Sequence, residues 1–267
     1  MRRLLITLVL LVVAGVAVAG TAERWLLYPL DPRHLTPADA GVANLTEHRI
    51  ETPDGETLIV WAADPRPSKP VILYFQGNAG NLAIRAARFR AFTDAGYGVV
   101  APAYRGSSGS TGTPAQDALE RDAVLVFGRL KEWVDADTSL IFYGESLGTA
   151  VSTYLATKAD PPPAALVLEA PFTSIPALVR HHYPQFSAAS LVMSDKWPTR
   201  ARIRQSTAPL LILHGAEDEL IPTEMGRTLL RLSGSDDKKM IIVNGAGHNN
   251  VWQPSAKQAL FDFLARF

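Results

Sequence analysis

The chain has 267 residues, 47% apolar and 19% charged, with 26 basic against 26 acidic side chains and no net charge. That length fits one large domain or two small ones, with an ordinary globular share of apolar residues. The charge balance, without basic runs or aromatic–basic interleaving, argues against a nucleic-acid partner, and the absence of cysteine excludes disulfides, a thiol nucleophile and thiolate metal sites.

Arg2 and Arg3 precede Leu4–Ala22, an uncharged, mostly apolar run of 19 residues. As a helix it would be about 28 Å long, close to the hydrocarbon thickness of a bilayer. Positive charge ahead of the run places the N-terminus in the cytoplasm and the rest of the chain across the membrane. Trp25 and Tyr28 follow where interfacial aromatics collect. Residues 1–26 are therefore expected to form a membrane anchor, with an extracytoplasmic domain over 27–267. Ala17-Val18-Ala19 offers the alternative of a cleavable signal peptide, which would release that domain.

Leu30–Gly41, with two prolines and no periodicity, reads as a linker. Ala43–Thr52 and Glu56–Ala63 flank Pro53-Asp54-Gly55, a strand–turn–strand pattern. Val71–Phe75 is a continuous apolar run, expected of a strand covered on both faces, and a helix follows through about Ala95. Tyr97–Ala101 reads as a strand, Arg105–Gly112 as a loop, and Pro114–Asp135 as a helix with proline in its opening turn. Strand Ser139–Tyr143, helix Leu147–Ala159 and strand Ala164–Leu168 continue the alternation. After a break come strand Leu210–Leu213, helix Thr223–Ser233 and strand Met240–Val243. The closing helix Ser255–Phe267 is expected to bury Leu260, Phe261 and Leu264. Such alternation predicts an α/β fold, with parallel strands and helices on both faces. The break, Pro171–Ala208, carries Phe172, Tyr183, Phe186 and Trp197 without strand periodicity. It reads as a small lid of short helices at about 172–207, or else as one crossover helix with loose ends.

Gly144-Glu145-Ser146-Leu147-Gly148 sits between the strand ending near Gly144 and the helix after it. This is the Gly-x-Ser-x-Gly pattern of a nucleophile elbow, in which a sharp turn lifts a serine hydroxyl clear of the sheet. A serine needs a base within hydrogen-bond reach, and a carboxylate to orient that base. In the chain order Ser, acid, His, the partners fall at the ends of the last two strands. There Asp218 is the candidate acid, with Glu217 and Glu219 competing, and His248 the candidate base, freed by neighbouring glycines. His34 and His48 fit surface or packing roles, and His214 fits bracing of the acid loop. His181-His182 do not share a face, and no carboxylate pattern beside them resembles a metal site. The backbone N–H of Leu147 and that of Asn78, with Ala79 as second choice, are candidate oxyanion donors. Gly77-Asn78-Ala79-Gly80 lacks the following Gly-Lys-[Ser/Thr] of a nucleotide loop.

These motifs, with Arg105-Gly106, His214-Gly215, Pro222 and Gly247-His248, resemble the membrane-anchored serine hydrolases of the α/β-hydrolase superfamily, near the dienelactone-hydrolase and serine-aminopeptidase-like groups. The resemblance runs from Leu27 to the C-terminus. It implies an α/β-hydrolase fold with a mostly parallel sheet of about eight strands. It also implies hydrolysis of esters, thioesters or amides without cofactor or metal. Two positions depart from the family pattern: Gln76-Gly77 replaces the usual His-Gly, and Ser107-Ser108 the frequent Tyr-Gly. The expected activity is cleavage of a small acyl substrate, ester or thioester, with lipid-like acyl chains suggested by the aromatic lid and the anchor. An aminopeptidase-like amidase, with Glu145 or Glu169 receiving the substrate amine, and a non-catalytic binding scaffold are the alternatives.

Overall fold

The computed structural model describes residues 23–134, 138–188, 190 and 192–267. The expected anchor Leu4–Ala22 lies outside the described residues, and among those no helix is long and apolar enough to cross a membrane.

Eight strands form one sheet: β1 (Thr46–Glu51), β2 (Thr57–Ala63), β3 (Val71–Phe75), β4 (Gly98–Pro102), β5 (Leu140–Glu145), β6 (Ala165–Glu169), β7 (Leu210–Gly215) and β8 (Lys238–Val243). Their order across the sheet is β1-β2-β4-β3-β5-β6-β7-β8. β2 runs antiparallel to both β1 and β4, and the other pairings are parallel. β3, β4 and β6 are buried at every position, because helices cover both faces and leave no solvent side for polar alternation. Alternate residues then feed two cores. Val71, Leu73 and Phe75 face one, while Ile72 and Tyr74 face the other.

Among the described residues the helices after the first strand are α1 (Ala86–Asp94), α2 (Gln116–Gly128), α3 (Leu147–Ala156), α4 (Ile175–His182), α5 (Thr199–Arg202), α6 (Thr223–Leu232) and α7 (Pro254–Leu264), and a short helical turn at 23–27 precedes the sheet. Several expected boundaries move. α1 is preceded by a 3-10 turn, Leu82–Arg85, where the Asn81 side chain accepts from Ile84 N at 3.3 Å. Pro114 precedes α2 rather than opening it, since Ala115 is the extended cap residue. α2 stops at Gly128, a poor helix former, and a separate 3-10 turn occupies Leu130–Glu132. α7 buries Leu260, Phe263 and Leu264, while Phe261 is half-buried against the rings of Phe92 and Tyr97.

The stretch read as a linker is instead seated on the domain. Leu30 bridges to Gly80, Asp31 N donates to Gly80 O at 3.0 Å, and Ser108 N donates to Asp31 O at 3.0 Å. Arg105 fastens the β1–β2 turn from inside. Its guanidinium pairs with Asp54 at 2.6 Å and with Asp122 at 2.8 Å, joining turn, loop and α2. Among its described residues the segment between β6 and β7 holds α4, α5 and the 3-10 turns Pro184–Phe186 and Ile203–Gln205, in place of one crossover helix. Within it Phe172 and Trp197 are buried, whereas Tyr183 and Phe186 remain exposed.

Candidate active site

β5 ends at Glu145 and α3 begins at Leu147, so Ser146 alone makes the turn, at φ +50° and ψ −112°. A non-glycine residue held in such a sparsely populated region carries strain of roughly 1–3 kcal/mol, sustained only where its surroundings fix it. Here Ser146 N donates to Glu169 O at 2.8 Å and Ser146 O accepts from Thr149 N at 3.0 Å. The two motif glycines are steric requirements. A Cβ on Gly144 would meet the Gly148 carbonyl, and one on Gly148 would meet the Phe75 carbonyl at the end of β3.

The loops after β7 and β8 bring the two partners to this serine. His248 Nε2 lies 3.0 Å from Ser146 Oγ, and its Nδ1 lies 2.9 Å from Asp218 Oδ2. Asp218 Oδ1 accepts from the N–H groups of Leu220 (3.0 Å) and Ile221 (2.7 Å). Burial works against the Asp218 carboxylate, yet hydrogen bonds from His214, His248 and Ile221 outweigh it and hold its pKa below the usual carboxylate range. A carboxylate pKa depressed by folding stabilises the protein above its unfolded value of about 4, and that contribution is lost as pH falls through the folded pKa. Asp218 is therefore ionised at neutral pH. Glu217 and Glu219, its competitors in sequence, point to solvent. His214 braces the loop: its Nε2 lies 2.8 Å from Ile221 O and 3.5 Å from Asp218 Oδ2. Gly215 lets the loops touch, since a Cβ there would strike the carbonyls of Ala246 and Gly247.

The remaining histidines lie elsewhere. His34 bonds Glu47 at 2.8 Å, His48 packs on Trp133, and His182 Nε2 donates to Leu220 O at 2.8 Å. Among the described residues no group of three or more His, Asp or Glu side chains could hold a metal ion.

Gly77 lies against the serine, since a Cβ placed on it would be 3.5 Å from Ser146 Cβ. The backbone N–H groups of Leu147, Asn78 and Ala79 make no backbone hydrogen bond among the described residues, and Asn78 Nδ2 donates to Leu27 O at 2.8 Å. Arg85 ties this loop to the elbow. It donates to Ala79 O (2.7 Å) and Asn81 O (3.2 Å) and forks onto Glu145 at 3.0 and 3.2 Å. Glu145 also accepts from Tyr74 Oη. Burial raises the pKa of Glu145, but Arg85 and Arg88 more than offset it, so the carboxyl stays well below its ordinary range. One strand over, in register with Glu145, Glu169 is buried and forked by Arg88. Neither glutamate is free to receive a substrate amine.

Sequence reading missed Arg85 and Arg88. The available signal was two glutamates at matching ends of adjacent buried strands, which require cations, and two arginines three residues apart after the Gly77–Asn81 loop. The family departures prove to be neighbours. Gln76 Nε2 donates to Ser107 Oγ at 3.3 Å, Ser107 Oγ donates to Gly80 O, and Ser108 Oγ accepts from Leu82 N at 2.9 Å. Together they support the Gly77–Asn81 loop from behind.

The strand order, the strained serine between β5 and α3, and the site loops at the carboxyl edge define an α/β hydrolase. Within that class the chain belongs to the serine aminopeptidase S33 family, whose profile matches residues 66–201. It is 32% identical over 249 residues to the uncharacterized protein Rv2307c of Mycobacterium tuberculosis, covering 92% of this chain and 87% of that one. It is 29% identical over 236 residues to the lysophosphatidylserine lipase ABHD12 of Rattus norvegicus, covering 74% of this chain and 58% of that longer one. Among solved structures, the esterase Pf2001 of Pyrococcus furiosus superposes with a TM-score of 0.70 at 18% identity, over 90% of this chain and 98% of that one.

Proposed function

We propose that the protein is a serine hydrolase that cleaves carboxylic esters or thioesters through an acyl-enzyme. The observation that carries this reading is His248, within hydrogen-bond reach of Ser146 Oγ on one ring nitrogen and of Asp218 on the other. In the proposed cycle Ser146 Oγ attacks the acyl carbonyl as its proton passes to His248 Nε2. Asp218 accepts from Nδ1–H, which fixes the tautomer and stabilises the imidazolium. The N–H groups of Leu147 and Asn78 receive the developing oxyanion. Nε2 then protonates the leaving alcohol or thiol. Water, deprotonated by the same nitrogen, cleaves the acyl-enzyme.

The exposed aromatics of the α4 region and the lysophospholipid activity named for the rat relative favour acyl-chain substrates. The amidase alternative loses its support because Glu145 and Glu169 are both taken by arginines. A panel of p-nitrophenyl esters from acetate to decanoate, alongside aminoacyl p-nitroanilides, tests the choice. Rising kcat/KM with chain length is expected. Activity confined to acetate or to the anilides would overturn the acyl-chain reading, and complete inactivity with no uptake of an acylating inhibitor would indicate a binding scaffold.

Arg85 is a positioning residue in this scheme, since it holds the loop carrying Asn78 against the elbow. Arg85→Gln should lower kcat about 10–100-fold with KM little changed, as expected when oxyanion donors drift by around 1 Å. Arg85→Lys should recover part of the loss. Equal rates for wild type and Arg85→Gln would show that the loop holds its place unaided.

A further inference from the structure

Eight large apolar side chains are exposed among the described residues, and six of them (Trp25, Leu26, Ile84, Tyr183, Phe186 and Leu220) belong to segments attached to the site loops. Trp25 (82% exposed) and Leu26 stand on a helical turn at 23–27 that is bolted down at both ends. Its Glu23 carboxylate accepts from Ser194 N and Asp195 N at 3.2 and 2.9 Å, and its Leu27 carbonyl accepts from Asn78 Nδ2. Ile84 stands on the 3-10 turn that leaves the Gly77–Asn81 loop. Tyr183 and Phe186 (57% exposed) extend from the end of α4, where His182 bonds the carbonyl of exposed Leu220. Leu220 in turn donates its N–H to Asp218. A water-soluble surface scatters its exposed apolar residues, whereas this chain gathers them around one rim.

The sequence indicates what covers that rim. The 19 uncharged residues Leu4–Ala22 end three residues before Trp25 in the chain. The turn carrying Trp25 is fixed to the loops that hold Asn78 and Asp195, so no spacer separates the apolar segment from the site mouth. Exposed Arg180, His181 and His182 immediately precede Tyr183, a mixture of basic and aromatic residues that suits a headgroup layer.

We infer that this rim is a docking surface for a lipid bilayer, which presses the mouth of the Ser146 site onto the headgroup layer so that a substrate enters from the membrane. The surface stands apart from the acyl-transfer chemistry and is tested without it. Because the chain has no cysteine, single-cysteine variants can be labelled cleanly. Phe186→Cys, Leu220→Cys and, as a control on the exposed turn before β8, Asp236→Cys would each carry an environment-sensitive nitrobenzoxadiazole probe on the full chain. The proteins would be reconstituted in neutral phosphatidylcholine vesicles, where apolar burial rather than charge decides, and thermal unfolding would verify that each variant is folded. Position 186 is the most informative, because it lies far along the chain from the N-terminal segment.

Probes at 186 and 220 should shift to the blue and lose emission several-fold when spin-labelled phosphatidylcholine is added, at every protein-to-lipid ratio, while the probe at 236 does neither. Aqueous spectra at 186 and 220 in vesicles would overturn the inference. So would shielding that grows with protein density and resists the spin-labelled lipid, because that result would make the rim a contact between copies of this chain.

Discussion

Ser146→Ala is expected to lower ester hydrolysis by about 10⁴–10⁶-fold and to abolish labelling by a fluorophosphonate probe, with the fold intact. The loss is large because the group removed is the one that forms the covalent bond. Leu147 and Asn78 would be left to polarise a carbonyl that nothing attacks. Stability should change by less than about 0.5 kcal/mol. The backbone strain at φ +50° belongs to any side chain with a Cβ, and the hydroxyl's partner, His248, keeps its bond to Asp218. Adding His248→Ala to Ser146→Ala should cost almost nothing further, since the two act as one unit. Initial rates on p-nitrophenyl butyrate, probe labelling and a thermal melt read all three points. Undiminished labelling of Ser146→Ala would falsify the nucleophile assignment, and a further large loss in the double variant would place His248 in a separate role.

The strands were legible because parallel strands buried on both faces must be apolar throughout, as Val71–Phe75 and Ala165–Glu169 nearly are. The three candidate residues that the structure brings together, Ser146, Asp218 and His248, could be picked out because each follows the end of a strand, at a spacing that glycines mark. What stayed hidden depends on partners remote in sequence. Arg85 and Glu145 are 60 positions apart, and Arg88 and Glu169 are 81 apart, so no local pattern couples them. The Leu30–Gly41 segment was misread for the same reason. Its prolines exclude regular structure, but whether a loop is loose or seated depends on acceptors such as Gly80 O, which local composition does not reveal. The departures at Gln76 and Ser107 are 31 positions apart in the chain, and only the fold shows that they are hydrogen-bonded neighbours.

Arg88→Met is expected to destabilise the domain by about 3–5 kcal/mol, the usual consequence of leaving a buried charge without its counter-ion. Glu169 has 2% of its side chain exposed, and Arg88 covers both its oxygens, one at 2.7 Å. After substitution only the Tyr143 hydroxyl, 2.5 Å away, would remain to a carboxylate that water cannot reach. Burial pushes the Arg88 pKa down, and attraction to Glu169 overrides it, so the guanidinium is held charged by the pairing the variant destroys. Arg88 also lies 4.7 Å over the Trp252 ring, a contact methionine would replace only in part. For a domain of this size each kcal/mol lowers Tm by about 2–4 °C, so the melt should move by roughly 6–20 °C. The control is Arg88→Met combined with Glu169→Leu, which removes both charges together and should regain most of the loss. If the double variant melted as low as the single, packing against Trp252 rather than charge would be the larger contribution. Because Ser146 N donates to the carbonyl of Glu169, this ion pair also supports the strand end to which Ser146 is bonded. The single variant should therefore lose activity on warming at temperatures where most of its chain is still folded.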